Sequence, residues 1–149
     1  MRRGTVKDRA FVSELGARTV MDSVSASRHP DPAAVLDNYD RLTKIVEGRS
    51  HATLIAEVDA KPVGFILLID DLPDEVTGED QGFIAYMAVD RAHRRLGVGA
   101  ALLAAAEDEA RKRGLPYIAL MVTEENAAAR GLYERAGYNT ERRLMCKTL

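Results

Sequence analysis

Between Gly82 and Val89 the chain carries no charged side chain and is apolar on both faces, with Phe83, Ala85, Met87 and Val89 on one side and Ile84, Tyr86 and Ala88 on the other. That pattern suits a central strand covered from two sides. A few residues later Gly97 stands just before, and Gly99 just inside, Val98–Arg113, a helix rich in alanine and leucine that Gly114 stops. Pro116–Val122 then reads as another strand. Strand, helix and strand with short links make a βαβ crossover, right-handed by the twist of its parts.

The remaining elements arrange themselves around this unit. Arg2–Val6 is a short strand, and Asp8 caps a helix whose apolar positions are Phe11, Val12, Leu15, Thr19 and Val20. Asp31 or Pro32 opens a second helix through Val35, Leu36, Tyr39, Leu42 and Ile45, closed by Gly48. Ala52–Val58 and Val63–Ile69 form a hairpin across the turn Asp59-Ala60-Lys61-Pro62. Asn126–Ala136 is a last helix ended by Gly137, and Leu144–Leu149 a final strand. The 149 residues make one domain, 1–149, able to bury about 68–70% of its unfolded surface without staples.

Charge excludes some functions. A formal net charge of −2 gives no general drive toward nucleic acid or anionic lipid. Cys146 is the single cysteine, and no Cys/His cluster has metal-ligand spacing, so no metal is expected. No secretory leader and no apolar run of membrane-spanning length is present, which makes a cytoplasmic protein the default expectation.

The connection from the central strand to its helix carries the sharpest chemical signal. Gly97 and Gly99 let backbone N–H groups approach a ligand closely. The helix behind them offers unpaired N–H groups and a positive dipole end. Arg94 and Arg95 add cationic donors, and no acid occurs from Val98 to Ala106, so the first turn is free for an external anion. The segment lacks the Gly-Lys-Ser/Thr ending of a Walker loop and the third glycine of a dinucleotide fingerprint. From these residues alone, the site takes an anion of unspecified kind, or the glycines merely shape a turn.

Arg94-x-x-Gly97-x-Gly99, preceded by Tyr86-Met87-Ala88-Val89-Asp90, resembles motif A of the GCN5-related N-acetyltransferase (GNAT) superfamily. The later run from Asn126 through Ala129, Tyr133-Glu134 and Gly137-Tyr138 is similar to that family's motif B. The two stand in the family's order and separation, and the likeness covers Gly82–Tyr138. The resemblance implies an α/β fold with a mixed sheet of about six or seven strands and about four helices, in which the parallel strands ending at Val89 and Val122 splay apart. It implies acetyl-CoA as cosubstrate and an amine as acceptor. Backbone groups of Met87, Ala88 and Val89 would pair with the pantetheine arm, and the amides from Arg94 through Arg95, Leu96, Gly97, Val98 and Gly99 to Ala100 would wrap the pyrophosphate. Asn126, with Ala129 in the same motif, would meet the pantetheine, and Tyr133 would protonate the departing thiolate. Asn126 and Tyr133 are about two helical turns apart and so share a face. Asn126 is equally a good N-cap, and Tyr133 could serve only in packing. Homodimers are common among relatives.

An ammonium near pKa 10.4 has no lone pair at neutral pH, so a group must take its proton. Many relatives use a strand glutamate, but Gly82–Val89 holds no carboxylate and Met121 and Val122 fill the second strand. The candidates are Glu79, Glu124 and Glu125, with Asp80 beside them and Tyr86 as a holder of water. His29, His51 and His93 read as surface or packing residues. The acidic stretch Asp70–Asp80 either attracts a cationic acceptor or simply faces water.

The leading expectation is therefore acetyl transfer to a primary amine, of a small molecule first and of a peptide N-terminus or lysine second. A coenzyme A-binding module without turnover and a nucleotide- or phosphate-binding protein are the alternatives.

Overall fold

The computed structural model describes residues 1–149. In chain order the elements are β1 (Arg2–Arg3), α1 (Arg9–Thr19), α2 (Pro32–Glu47), β2 (His51–Val58), β3 (Lys61–Ile69), β4 (Gln81–Val89), α3 (Val98–Lys112), β5 (Tyr117–Leu120) and α4 (Ala127–Arg135). The sheet has five strands in the order β1-β2-β3-β4-β5, antiparallel except for the parallel β4–β5 pair. The four helices match expectation, whereas six or seven strands do not form.

The missing strand is the C-terminal one. Residues 139–149 adopt no regular structure, and Leu144 and Met145 are each 90% exposed. Arg142 instead pairs with Asp74 and Glu75 in the β3–β4 connection. A strand is stabilised only by an edge to pair with, and the run beyond Arg142 meets none. β5 is also shorter than Pro116–Val122, because its pairing stops at Leu120 and Met121 is exposed.

Two of the turns differ in kind from the sequence reading. The β2–β3 hairpin closes on Asp59 and Ala60 alone, both left-handed at φ 49° and 60°, while Lys61 and Pro62 already belong to β3. At the N-terminus, Asp8 does not cap α1 with its side chain. Its carboxylate reaches back to the Thr5 N–H at 2.7 Å and takes the Arg2 guanidinium on both oxygens, at 2.7 and 2.9 Å. The Arg2 bond, opposed by burial and aided by Thr5, holds Asp8 far below the usual carboxylate range.

Both faces of β4 are covered, but by different helices. α1 and α2 close one face around Leu15, Tyr39, Phe65 and Tyr86. α3 closes the other with Leu102, Leu103, Ala106 and Ala110 against Ile66, Leu68 and Ile84. The expected strict alternation along β4 breaks at its centre. Leu68 pairs with Ile84 and Leu67 with Tyr86, so Ala85 is an extra residue opposite no partner. Such a bulge bends the strand and re-aims side chains. Here it turns Ala85 and Tyr86 to the same α1/α2 side, with Phe83, while Ile84, Met87 and Val89 face α3.

Candidate functional site

The bulge at Ala85 coincides with the point where the two parallel strands part. β4 and β5 pair only from Gln81–Tyr117 to Ile84–Leu120. Beyond Ile84, β4 continues to Val89 with its outer edge open, since its other edge is paired with β3 from Leu67 to Gly64. The opening is a cleft of about 100 Å³ lined by Ser23, Ile84, Ala85, Tyr86, Met87, Leu120, Met121 and Tyr133. Three of the lining residues, Ser23, Tyr86 and Tyr133, carry hydroxyls.

At the far end of β4 the backbone turns into α3. Asp90 caps the short turn Arg91–His93 by accepting the Ala92 N–H at 3.0 Å. Arg94 N–H still bonds inside this turn, to Arg91 O, and the next amide so engaged is Ala101, on Gly97 O. The six amides from Arg95 to Ala100 lie between them without a backbone acceptor. Gly97 caps α3 at φ 82°, with no side-chain cap and no acid in the first turn. Arg95 is also left-handed, at φ 65°, an uncommon conformation for a side chain of that size. Gly99 lies so near α4 that a Cβ would stand 3.0 Å from the Leu132 side chain. The sequence reading placed an anion cradle here, and the donors and dipole needed for one converge on this turn.

The expected pantetheine contacts sit along the open edge. Strand alternation turns the backbone of Met87 and Val89 to the open edge, where the Val89 carbonyl already accepts Arg94 Nε at 3.1 Å, whereas Ala88 O lies against Gly64 of β3. Asn126 is the N-cap of α4: its Oδ1 accepts Ala129 N–H at 3.1 Å and its Nδ2 donates to Asp22 O at 3.0 Å. Tyr133 is half-buried on α4 and reaches the cleft. Burial above all, with Tyr86 nearby, raises its pKa, so its hydroxyl is protonated at neutral pH.

None of the three proposed carboxylates lines the cleft. Glu79 stands at the opposite end of β4. Glu124 is exposed and bonded to Arg130 at 3.1 Å. Glu125 accepts the Ser25 hydroxyl at 2.5 Å, and that bond chiefly lowers its pKa. The acidic connection Asp70–Asp80 is likewise remote from the cradle and largely paired within the fold, Asp70 with Arg113, Asp71 with Arg49, and Asp74 with Arg142. Sequence reasoning missed the segment Asp22–Ser25, which crosses the mouth of the cleft. Its only sequence signal was a polar run between two helices. A larger groove, about 490 Å³ between α1, α2 and the start of β2, lies elsewhere, and its rim charges pair as Arg9–Glu47, Lys44–Asp40 and Arg2–Asp8.

Residues 19–138 match the model of the acetyltransferase (GNAT) family. The chain belongs to this family. It is 43% identical over 60 residues, 40% of each chain, to the [ribosomal protein bS18]-alanine N-acetyltransferase of Escherichia coli (strain K12). It is 31% identical over 128 residues to the mycothiol acetyltransferase of Clavibacter sepedonicus, covering 86% of this chain and 38% of that one. The chain thus spans about two fifths of the length of these curated relatives. Among solved structures, a putative acetyl transferase from Pyrococcus furiosus superposes with a TM-score of 0.84 at 24% identity, over 99% of this chain and 97% of that one. An aminoglycoside N-acetyltransferase in complex with CoA superposes with a TM-score of 0.72 at 18% identity, over 99% and 97%. The GNAT family therefore shares this α/β fold, here with five strands and four helices. No helix is long and apolar enough to cross a membrane.

Proposed function

We propose that the protein transfers the acetyl group of acetyl-CoA directly to a primary amine in a ternary complex. One observation carries this reading: six unpaired amides, Arg95–Ala100, adjoin a cleft between parted parallel strands into which Tyr133 reaches. That cradle would take the pyrophosphate, since its N–H groups and the α3 dipole suit an anion and Arg94 and Arg95 belong to the same turn. The open edge of Met87–Val89 offers backbone donors and acceptors to the pantetheine amides, as a further strand would. Asn126 supports the arm by exchanging its bond to Asp22 O. Ala129 keeps the Asn126 side chain oriented.

When bound, acetyl-CoA supplies the thioester that the amine attacks. The chain's own part is to hold the arm between β4 and β5, to shield it with the apolar side chains of Ile84 and Leu120, and to provide a proton at the sulfur. Tyr133 suits the last role because its raised pKa retains the proton until a thiolate departs. Proton removal from the amine belongs on the side of the cleft where Ser23 and Tyr86 stand. The Tyr86 hydroxyl lies 3.1 Å from Thr19 Oγ1 and can hold a water against the acceptor.

Small-molecule amines are the first acceptor class. Peptide N-termini are the second, favoured by the 43% identity to an alanine N-acetyltransferase across 60 residues. A thiol-release assay with acetyl-CoA over a panel of amines and N-terminal peptides tests the reading. Release with at least one amine is the expected result. Coenzyme A binding without release from any acceptor would favour a binding module instead, and tighter binding of ATP than of acetyl-CoA in calorimetry would favour a nucleotide site.

A further inference from the structure

The segment Asp22–Ser25 is tied to both sides of the parted strands. On the β5 side, Asn126 Nδ2 donates to Asp22 O at 3.0 Å, the Thr123 hydroxyl donates to Ser23 O, and Ser25 donates to Glu125. On the β4 side, Arg94 Nη2 donates to the Asp22 carboxylate at 3.2 Å, and Ser23 bonds the Tyr86 hydroxyl. The first group of bonds uses backbone oxygens or other side chains, so the position of Asp22 does not depend on its own carboxylate. The link to Arg94 does.

Arg94 therefore has two claimants. Its Nε is held on Val89 O, which keeps the guanidinium at the entrance to the amide cradle. Its Nη2 is spent on Asp22 in an ion pair whose side chains are 39% and 45% exposed. Exposed pairs of this kind are weak. A pyrophosphate seated on six amides offers the same guanidinium more negative charge and bidentate geometry.

The geometry points to Asp22 as the acceptor-side carboxylate of this site, covered by Arg94 until the pyrophosphate draws Arg94 away. This rests on the acetyl-CoA reading above. With Arg94 gone, the Asp22 carboxylate stands uncompensated next to Ser23, which lines the cleft, on the α1/α2 side to which Tyr86 also points. An acceptor ammonium is attracted there and gives up one proton to the carboxylate. The nitrogen lone pair then forms the new C–N bond, the C–S bond breaks, and the thiolate takes the Tyr133 proton, while the second nitrogen proton, released as the amide forms, passes through water to the Tyr133 phenolate. Glu79, Glu124 and Glu125 are not required for this sequence.

Calorimetry with coenzyme A on the Asp22→Asn variant tests the exchange, because a merely structural residue would not improve binding when removed. Affinity should rise about two- to fivefold, the range an exposed ion pair spans, and the gain should vanish in an Arg94→Gln background. In steady state the same variant should raise the amine KM about tenfold or more, with no rise in the acetyl-CoA KM. Unchanged or weaker coenzyme A binding by Asp22→Asn overturns the inference, as does a gain that survives Arg94→Gln. An unaltered protein that binds no coenzyme A overturns the functional reading and the inference together.

Discussion

The two ends of β4 are both rich in charge, yet they use it in opposite ways. At the Gln81 end, Asp70, Asp71 and Asp74 are each answered by an arginine from elsewhere in the fold. Asp74 also closes its own turn by accepting the Val76 and Thr77 N–H groups. At the Val89 end, six amides and the dipole of α3 have no internal partner, and the only charge that answers Arg94 is Asp22, in an exposed pair. Charge density does not distinguish a site from a surface. Unpaired donors beside a cleft do.

Substitutions at the open end should act on function. Tyr133→Phe keeps the ring packed near Tyr138, at 6.0 Å between centroids, and removes only the proton donor. It should lower kcat about 10²-fold, the low end for general acid catalysis, because a thiolate leaves readily. Acetyl-CoA KM should stay nearly constant. An unchanged kcat would show that solvent protonates the sulfur. Gly97→Val places a β-branched residue at φ 82°, where the strain is on the order of 1–3 kcal/mol. The turn should relax by moving its amides, so coenzyme A affinity in calorimetry should fall about tenfold or more while the thermal transition shifts by only a few degrees.

Substitutions at the paired end should act on stability and leave function alone. Asp70 and Arg113 are 12% and 20% exposed, with Glu109 on the same guanidinium at 2.8 Å. Asp70→Asn leaves Arg113 half-compensated in a poorly solvated place and should cost about 2 kcal/mol in urea unfolding. Amine KM and its salt dependence should not change. A raised KM would restore the idea that the acidic connection draws in a cationic acceptor.

The sequence made the open end legible because its chemistry is local. Arg94, Gly97 and Gly99 lie within six residues, and the absence of acid from Val98 to Ala106 can be read directly from the chain. The helices and the β2–β3–β4 strands were legible for the same reason, since periodicity and turn residues are local properties. Three features were not. The bulge at Ala85 arises from the register of β3 against β4, which no β4 residue announces. The Asp22–Ser25 crossing brings together residues about 100 positions apart, such as Ser25 with Glu125. The C-terminal strand had the right composition, but a strand also needs an edge to join, and Arg142 is instead held at Asp74 and Glu75. The base candidates Glu79, Glu124 and Glu125 are close to the strands in sequence, but none of them lines the cleft.

The smallest expected effect asks how far the paired end depends on its arginines. Asp74 is lowered from 3.8 to about 2, first by the Thr77 and Val76 amides and only later by Arg142. A depressed folded pKa stabilises above the unfolded value and loses that contribution as pH falls through the folded one. For Asp74 the window runs from about 4 down to about 2. In an Arg142→Ala variant, carbonyl NMR titration should find Asp74 raised slightly but still clearly below 3.8, because the two amides remain. Stability at neutral pH should hardly change, because Arg142 is solvated and ion pairs of this kind contribute little. A return of Asp74 to its ordinary value would mean that Arg142, not the turn, holds the charge. The paired end would then rely on the C-terminal segment for its neutrality, and the contrast between the two ends of β4 would be one of partners recruited from a distance against donors left free.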